Sequence, residues 1–238
     1  VMPIFKRELR AYFDSPIAYV VIIGFLLITG WFFNTNFFMV AQADMRVVFG
    51  MIPFIFIFIT PAITMRLISE ERKSGTIELL VTMPIKDSEI ILGKYLAAWT
   101  FVSVALTMTF PMWLTVNYLG NPDNGVILAG YIGSLIMAGA FLAVGACISA
   151  SSKNQIIAFI VAAAVSFLFL SSGLDMVLAF FRGWAPEFVV DAIASLSFLT
   201  HFVAITGGVI DLRDFIFFAS VIALSLFINV ALVDIKKA

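Results

Sequence analysis

The feature that most constrains this chain is a series of long apolar segments that contain no charged residue and no histidine. An α-helix needs about 20 mostly apolar residues to cross the hydrocarbon of a bilayer. Only helices and closed barrels satisfy their backbone polar groups there, and the segments lack the two-residue alternation of barrel strands. They predict an all-α membrane protein with six transmembrane helices in one domain, residues 1–238. The predicted spans are residues 16–33, 47–65, 95–117, 126–149, 155–174 and 215–233.

The composition excludes several classes of protein. Hydrophobic residues make up 62% of the 238 residues and charged residues 12%, whereas soluble domains have about 45–50% and about 25%. An ordinary soluble enzyme and a disordered chain are therefore excluded. The formal net charge of −1 argues against a nucleic-acid partner. Because Cys147 is the single cysteine, we expect no disulfide framework within the chain.

Lysine and arginine are distributed unevenly between the two ends of the predicted spans. When the N-terminus, residues 66–94, the turn at 150–154 and the C-terminus share one side, that side holds 11 of the 14 basic residues. Basic residues favour the cytoplasmic side of a membrane, so we expect both termini in the cytoplasm. Residues 175–213 then form an outer segment of interfacial or re-entrant helices, because a seventh crossing would place Lys236 and Lys237 outside.

An amphipathic helix is predicted at residues 4–13, before the first span. One helical face collects the apolar side chains, and the basic side chains fall elsewhere. Such a helix lies in the headgroup layer and orients the first span; a simple basic anchor on the cytoplasmic side is the open alternative. The apolar face comprises Ile4, Phe5, Leu9, Tyr12 and Phe13, and the basic residues are Lys6, Arg7 and Arg10.

The predicted spans lack the groups that ion coupling or membrane catalysis needs. Ion-coupled carriers keep ionisable residues at membrane depth, and these six segments contain none. The single histidine, His201, lies in the predicted outer segment without a pattern of catalytic partners, and the sequence has no G-x-x-x-x-G-K-[ST] phosphate-binding loop. We therefore predict no catalytic residue, metal site or cofactor in this chain. Energy for uphill transport would come from another polypeptide.

The densest polar segment lies between the second and third predicted spans, at residues 66–94. Gly75 permits a turn, a short helix is predicted from Thr76 to Met83, and Pro84 ends it. Glu78 lies near the positive N-terminal end of that helix. A short helix held between two spans could transmit force from a cytosolic partner; a solvated loop is the alternative that composition leaves open.

The sequence PAITMRLISEERKSGTIELLVTMP at residues 61–84 resembles the signature of ABC-2-type permeases, the membrane subunits of one class of ATP-binding-cassette exporters. The late stretch TGGVIDLRDF at 206–215 resembles the gliding-motility-associated permeases and the permease of nitrous-oxide-reductase maturation. The resemblance implies a cytoplasmic coupling helix that docks on the ATPase subunit. It also implies that residues 4–13 are the interfacial helix of the family, with Phe5, Lys6, Arg7 and Arg10. The implied coupling residues are Glu70, Glu71, Arg72, Gly75, Thr76, Glu78, Leu79 and Leu80.

The resemblance also implies partners and a location. Two ATPase subunits, which bind ATP and Mg²⁺, would work with two permease copies, identical or related, in the inner membrane of a bacterium. Membrane lipids and a possible periplasmic accessory subunit complete the expected partners. The alternative is a membrane scaffold or assembly factor that transports nothing and recruits a cytosolic protein.

A substrate path in such a dimer would run between the two copies. Polar residues at membrane depth could line it, among them Asn117, Ser166 and Ser171. The alternative is ordinary helix packing, in which small residues of the fourth span let neighbouring helices approach closely. The small residues in question are Gly130, Gly133, Ala138, Gly139 and Gly145.

Overall fold

A computed structural model of the chain describes residues 1–39, 44–69, 87–183, 185–208 and 211–235. These residues form α-helices and one π-helical turn, without a β-strand among them. The prediction of an all-α fold is therefore confirmed for the described part. The α-helices are α1 Met2–Asp14, α2 Pro16–Asn34, α3 Arg46–Thr64, α4 Asp87–Thr107, α5 Phe110–Leu119, α6 Asn124–Ser151, α7 Gln155–Ser171, α8 Asp175–Arg182, α9 Glu187–Ser195, α10 Phe198–Thr206 and α11 Leu212–Ile235, and the π-helical turn is Thr35–Met39.

Each predicted span coincides with helix, but the number of crossings is less sharply defined than the sequence suggests. Within the described ranges, five helical segments are long and apolar enough to cross a membrane, or up to seven if each of two bent helix pairs counts as one span. The fifth predicted span, residues 155–174, is the first part of such a pair, since α7 ends at Ser171 and meets α8 at a bend of 74°. The second pair is α9 with α10, bent by 63°.

The third predicted span differs from the structure at its beginning and in its middle. The helix begins at Asp87 rather than at residue 95, so Lys94 lies within α4. It is then interrupted at residues 108 and 109 and resumes as α5. Pro111, in the first turn of α5, explains the break because proline cannot donate the backbone hydrogen bond that a continuous helix would need.

The fourth span, α6, forms the centre of the bundle and packs against α3, α4, α7, α10 and α11. Close packing depends on its glycines. A Cβ atom on Gly130 would lie 2.5 Å from the ring of Phe49, and one on Gly145 would lie 2.3 Å from Oγ1 of Thr64. These distances leave no room for a side chain, so the packing interpretation of these two glycines is confirmed.

The two ends of the bundle differ. At the end where the chain begins, α1 lies against α4; we call this the α1 end. At the opposite end, the predicted outer segment folds into α8, α9 and α10. Of these, α10 is inserted among α3, α6, α7 and α11, and Phe198 at its start is fully buried among Phe141, Phe169 and Phe218.

Candidate functional site

The candidate site is the predicted coupling segment, whose two flanks lie at the α1 end. Its named residues, Glu70, Glu71, Arg72, Gly75, Thr76, Glu78, Leu79 and Leu80, lie outside the described residues. The structure does describe both flanks of the segment. One flank is α3 with the turn that follows it to Ser69, and the other is the start of α4 at Asp87. How these flanks are held determines what a force applied between them would move.

Helix α1 is fixed to the α4 flank by charge and by packing. Nζ of Lys94 donates to Oε1 of Glu8 over 3.3 Å, and both side chains are largely buried. One turn earlier, Ile4 packs so closely on Gly93 that a Cβ there would lie 3.0 Å from its Cγ2 atom. The backbone nitrogen of Val1 also lies 3.8 Å from Oε2 of Glu89. Glu8 thus makes α1 a partner of α4, a role that the apolar-face pattern did not predict.

The same helix contacts the α3 flank through Tyr12. The Tyr12 hydroxyl donates to the carbonyl of Ile63 over 3.5 Å, and its ring stacks on Phe101 of α4 at 5.3 Å between centroids. Burial, with a smaller contribution from the charge of Glu8, raises the pKa of Tyr12 above its ordinary value. The phenol therefore stays protonated and remains a donor. A single residue of α1 joins the last turn of α3 to α4.

The turn that follows α3 is fastened to α6 by one serine. The backbone N–H groups of Ile68 and Ser69 donate to Oγ of Ser149, and that hydroxyl donates to the carbonyl of Met65, each over 3.3 Å. Ser149 is fully buried. Ser149 gives the two N–H groups an acceptor inside the core and adds a donor to the Met65 carbonyl, which also accepts from the Ser69 hydroxyl. These bonds fix the exit of the chain from α3.

The predicted interfacial residues of α1 divide as the amphipathic pattern requires. Phe5 is half-buried, whereas Lys6, Arg7 and Arg10 are exposed. Their roles in the site stay predictions.

The three residues predicted to line a substrate path occupy different environments. Asn117, on α5, is exposed and exchanges two amide hydrogen bonds with Asn124 of α6, at 2.9 and 3.0 Å. Ser171 donates to the carbonyl of Leu168 within α7. Ser166 is fully buried on α7, and its hydroxyl has no hydrogen-bond partner in the described part of the chain. The assignment of these residues to a path stays a prediction.

A buried contact between a histidine and an aspartate at the opposite end was not predicted from the sequence. Nδ1 of His201 on α10 lies 2.6 Å from Oδ1 of Asp214 on α11, and Nε2 lies 3.0 Å from the carbonyl of Ser195. The imidazole also stacks on Phe217 at 4.0 Å. Because a carbonyl only accepts, Nε2 carries a proton. The pair locks α10 to α11 and to the end of α9. The signal in the sequence was an acidic residue directly before the last apolar span.

Comparisons with known proteins agree with this architecture. The family model described as ABC-2 family transporter protein matches residues 15–233, which is nearly the whole chain and covers α2 to α10 and α11 as far as residue 233. The search of curated proteins found no match.

Proposed function

The chain belongs to the ABC-2 family of transporter proteins, and we propose that it is the permease subunit of an ATP-binding-cassette exporter whose energy comes from a separate ATPase subunit. Membership makes it a multi-pass membrane subunit of a transporter, consistent with its five to seven apolar crossings. The observation that carries the coupling proposal is the anchoring of both flanks of residues 70–86. One flank is held by Tyr12 and Ser149, the other by Glu8.

The anchoring suggests how force would pass into the membrane. A push on residues 70–86 would reach α3 and α4 together, because α1 contacts both helices. Through Ser149 the same push would reach α6, the centre of the bundle. Packed helices respond to such a load by tilting or shifting as units. We infer that closure of the ATPase subunits moves α3, α4 and α6 and switches the access of the substrate path between the two membrane faces.

We propose the assembly that the family resemblance implies: two permease copies, identical or related, with two ATPase subunits that bind ATP and Mg²⁺. Exposed apolar surface on α11 supports a further protein or lipid neighbour, since only 11% of the most apolar part of this helix is buried. Leu224, Phe227 and Ile228 lie on this exposed face. The proposed location is the inner membrane of a bacterium with both termini in the cytoplasm, and a periplasmic accessory subunit completes the proposal.

The proposed subfamily rests on one sequence motif. Residues 206–215 resemble the gliding-motility-associated permeases and the permease of nitrous-oxide-reductase maturation, and we propose membership of that subfamily. The family match extends across this stretch and supports the broader family. Two of these residues, 209 and 210, lie outside the described part of the structure.

The test is a complex reconstituted from the chain and an ATP-binding-cassette ATPase that copurifies with it. We expect Glu71→Ala and Gly75→Pro to reduce the stimulation of ATP hydrolysis by the permease at least severalfold, while insertion and yield are unchanged. Lys153→Gln, an exposed change in a turn at the same end, is the matched control and should leave ATPase stimulation intact.

Two other results would contradict the proposal. A chain that binds no ATPase at all would remove its basis. The chain could also bind an ATPase without changing its activity. If the rate of ATP hydrolysis is the same with the wild-type permease, with either variant and without permease, the scaffold alternative is favoured.

A further inference from the structure

A crevice of about 170 Å³ opens at the α1 end between α1, α2, α3 and α4. Its lining changes character along its length. Ser15 and Arg66 supply polar atoms on one side, whereas Ala18, Val21 and Ile63 form apolar walls. A cavity with convergent polar groups above an apolar floor is the usual form of a ligand site. The coupling proposal uses Glu8 and Tyr12 of this lining but gives no role to Arg66 or to the space itself.

Arg66 carries a buried donor that faces this crevice. Its Nε atom is buried and has no hydrogen-bond partner among the described residues. A guanidinium is always charged and presents five donors in a rigid fork that fits phosphate and carboxylate groups. Buried donors are nearly always satisfied in native proteins, and an exception indicates a missing water, ion or ligand. The Nε of Arg66 is therefore available to a ligand that brings a strong acceptor.

The charge around the crevice selects an anion. Glu8 lines it too, but this carboxylate is already engaged by Lys94 at 3.3 Å and by Arg7 at 3.8 Å. Among the described residues that line the crevice Glu8 is the acidic one, and its charge is already shared with two other cations, so it does not neutralise Arg66. The local balance favours a ligand with a negatively charged head.

The apolar side of the crevice indicates that the ligand also has a tail. A narrow void of about 10 Å³, walled entirely by apolar side chains, follows the crevice deeper between α2, α3 and α4. Val21, Ile63 and Phe101 line both spaces. Ile17 of α2 lines the crevice and is 38% exposed, and Val20, one helical turn further along α2, is 69% exposed. A chain of methylene groups lying along α2 would cover these two side chains.

We propose that this crevice binds an anionic phospholipid from the leaflet at the α1 end, with its phosphate on Arg66 and an acyl chain along α2. A guanidinium can donate two parallel hydrogen bonds to a phosphate. The start of α2, directly after the amphipathic α1, is the level at which headgroups are expected. The bound lipid would fill the space between α1 and the α3 flank of the coupling segment.

The experiment measures lipid bound to the purified full chain in detergent by native mass spectrometry. Phosphatidylglycerol is the probe, and phosphatidylcholine, which carries no net charge, is the reference lipid. Loss of charge-assisted hydrogen bonds predicts that Arg66→Gln weakens phosphatidylglycerol binding about tenfold or more. Arg10→Gln removes an exposed arginine from the same end and is the matched control, with an expected change below about twofold.

A second variant tests the site without touching the charge. Ala11 is exposed and lines the crevice, so Ala11→Phe should occupy the volume and reduce phosphatidylglycerol binding while Arg66 remains. This variant decides the matter if Arg66→Gln does not yield folded protein.

Three results would overturn the proposal. They are equal loss in Arg66→Gln and Arg10→Gln, phosphatidylcholine bound as well as phosphatidylglycerol, and displacement of the lipid by millimolar inorganic phosphate alone. The last would show a site for a free anion rather than for a lipid.

Discussion

Glu8 and Lys94 lie 86 residues apart in the chain and meet at 3.3 Å as a largely buried ion pair. The contact joins the amphipathic α1 to the first two turns of α4, directly after the predicted coupling segment. An amphipathic helix held only by the headgroup layer would need no such partner. The pair makes α1 part of the bundle, so that a movement of α4 carries α1 with it.

Removing one member of this pair should destabilise the protein. Glu8→Gln removes the carboxylate that lies 3.3 Å from Nζ of Lys94, whose side chain is 6% exposed. We expect a loss of about 1–3 kcal/mol, less than for a fully buried pair because Glu8 is partly exposed. The melting temperature in detergent measures this, with the exposed Lys6→Gln as the control. A double variant with Lys94→Met should recover part of the loss, and strict additivity of the two changes would contradict direct coupling.

Glycine-to-alanine substitutions in the bundle should differ in their effect on stability according to position. Gly145→Ala places a Cβ 2.3 Å from Oγ1 of Thr64, so α3 and α6 must move apart, at a cost of about 1–3 kcal/mol. Gly50→Ala is the matched control, since nothing lies within 4 Å of its Cβ and alanine favours helix. In detergent, the melting temperature of Gly145→Ala should lie well below that of the wild type, and the melting temperature of Gly50→Ala should equal or exceed it. Equal melting temperatures for the two variants would contradict this packing.

Loss of the Ser149 hydroxyl should loosen the exit from α3. Ser149→Ala removes the acceptor for the Ile68 and Ser69 N–H groups and the donor to Met65, a change of about 1 kcal/mol. Hydrogen exchange should become faster in peptides that contain residues 65–69 and stay unchanged in α11. Ser151→Ala, an exposed serine of the same helix, is the comparison. Unchanged exchange at 65–69 in the Ser149 variant would show that this tether does not hold the turn.

The pair at the opposite end should hold α10 in place. Asp214→Asn removes the carboxylate that lies 2.6 Å from Nδ1 of His201, and we expect a loss of about 1–3 kcal/mol. His201→Gln should cost a similar amount. The double variant should lose less than the sum of the two, with a coupling energy of about 0.5–3 kcal/mol in thermal or denaturant unfolding. Asp191→Asn, an exposed change on α9, is the control; an effect as large as that of Asp214→Asn would point to a general charge effect.

Several elements of the fold could be predicted because their cause is local. A segment that crosses lipid must be apolar along its whole length, and so α2, α3, α6 and α11 begin and end within three residues of the predicted spans. The amphipathic face of α1 was equally readable, since it repeats with the helical period. The break between α4 and α5 also has a local cause, Pro111. Because the sequence stays apolar across it, one continuous span was predicted there.

The sequence by itself determined that this chain is a multi-pass helical membrane protein with a charged segment between its second and third spans. Bilayer thickness and the cost of unpaired polar groups in lipid act on each segment separately. Only the tertiary structure decided which polar residues meet: Glu8 with Lys94, Ser149 with the turn after α3, and His201 with Asp214. Those contacts depend on the rotation and offset of packed helices. A hydrophobic pattern identifies the buried face of a helix, but the partner helix, the register and the close approaches at glycine follow from how all the helices pack together.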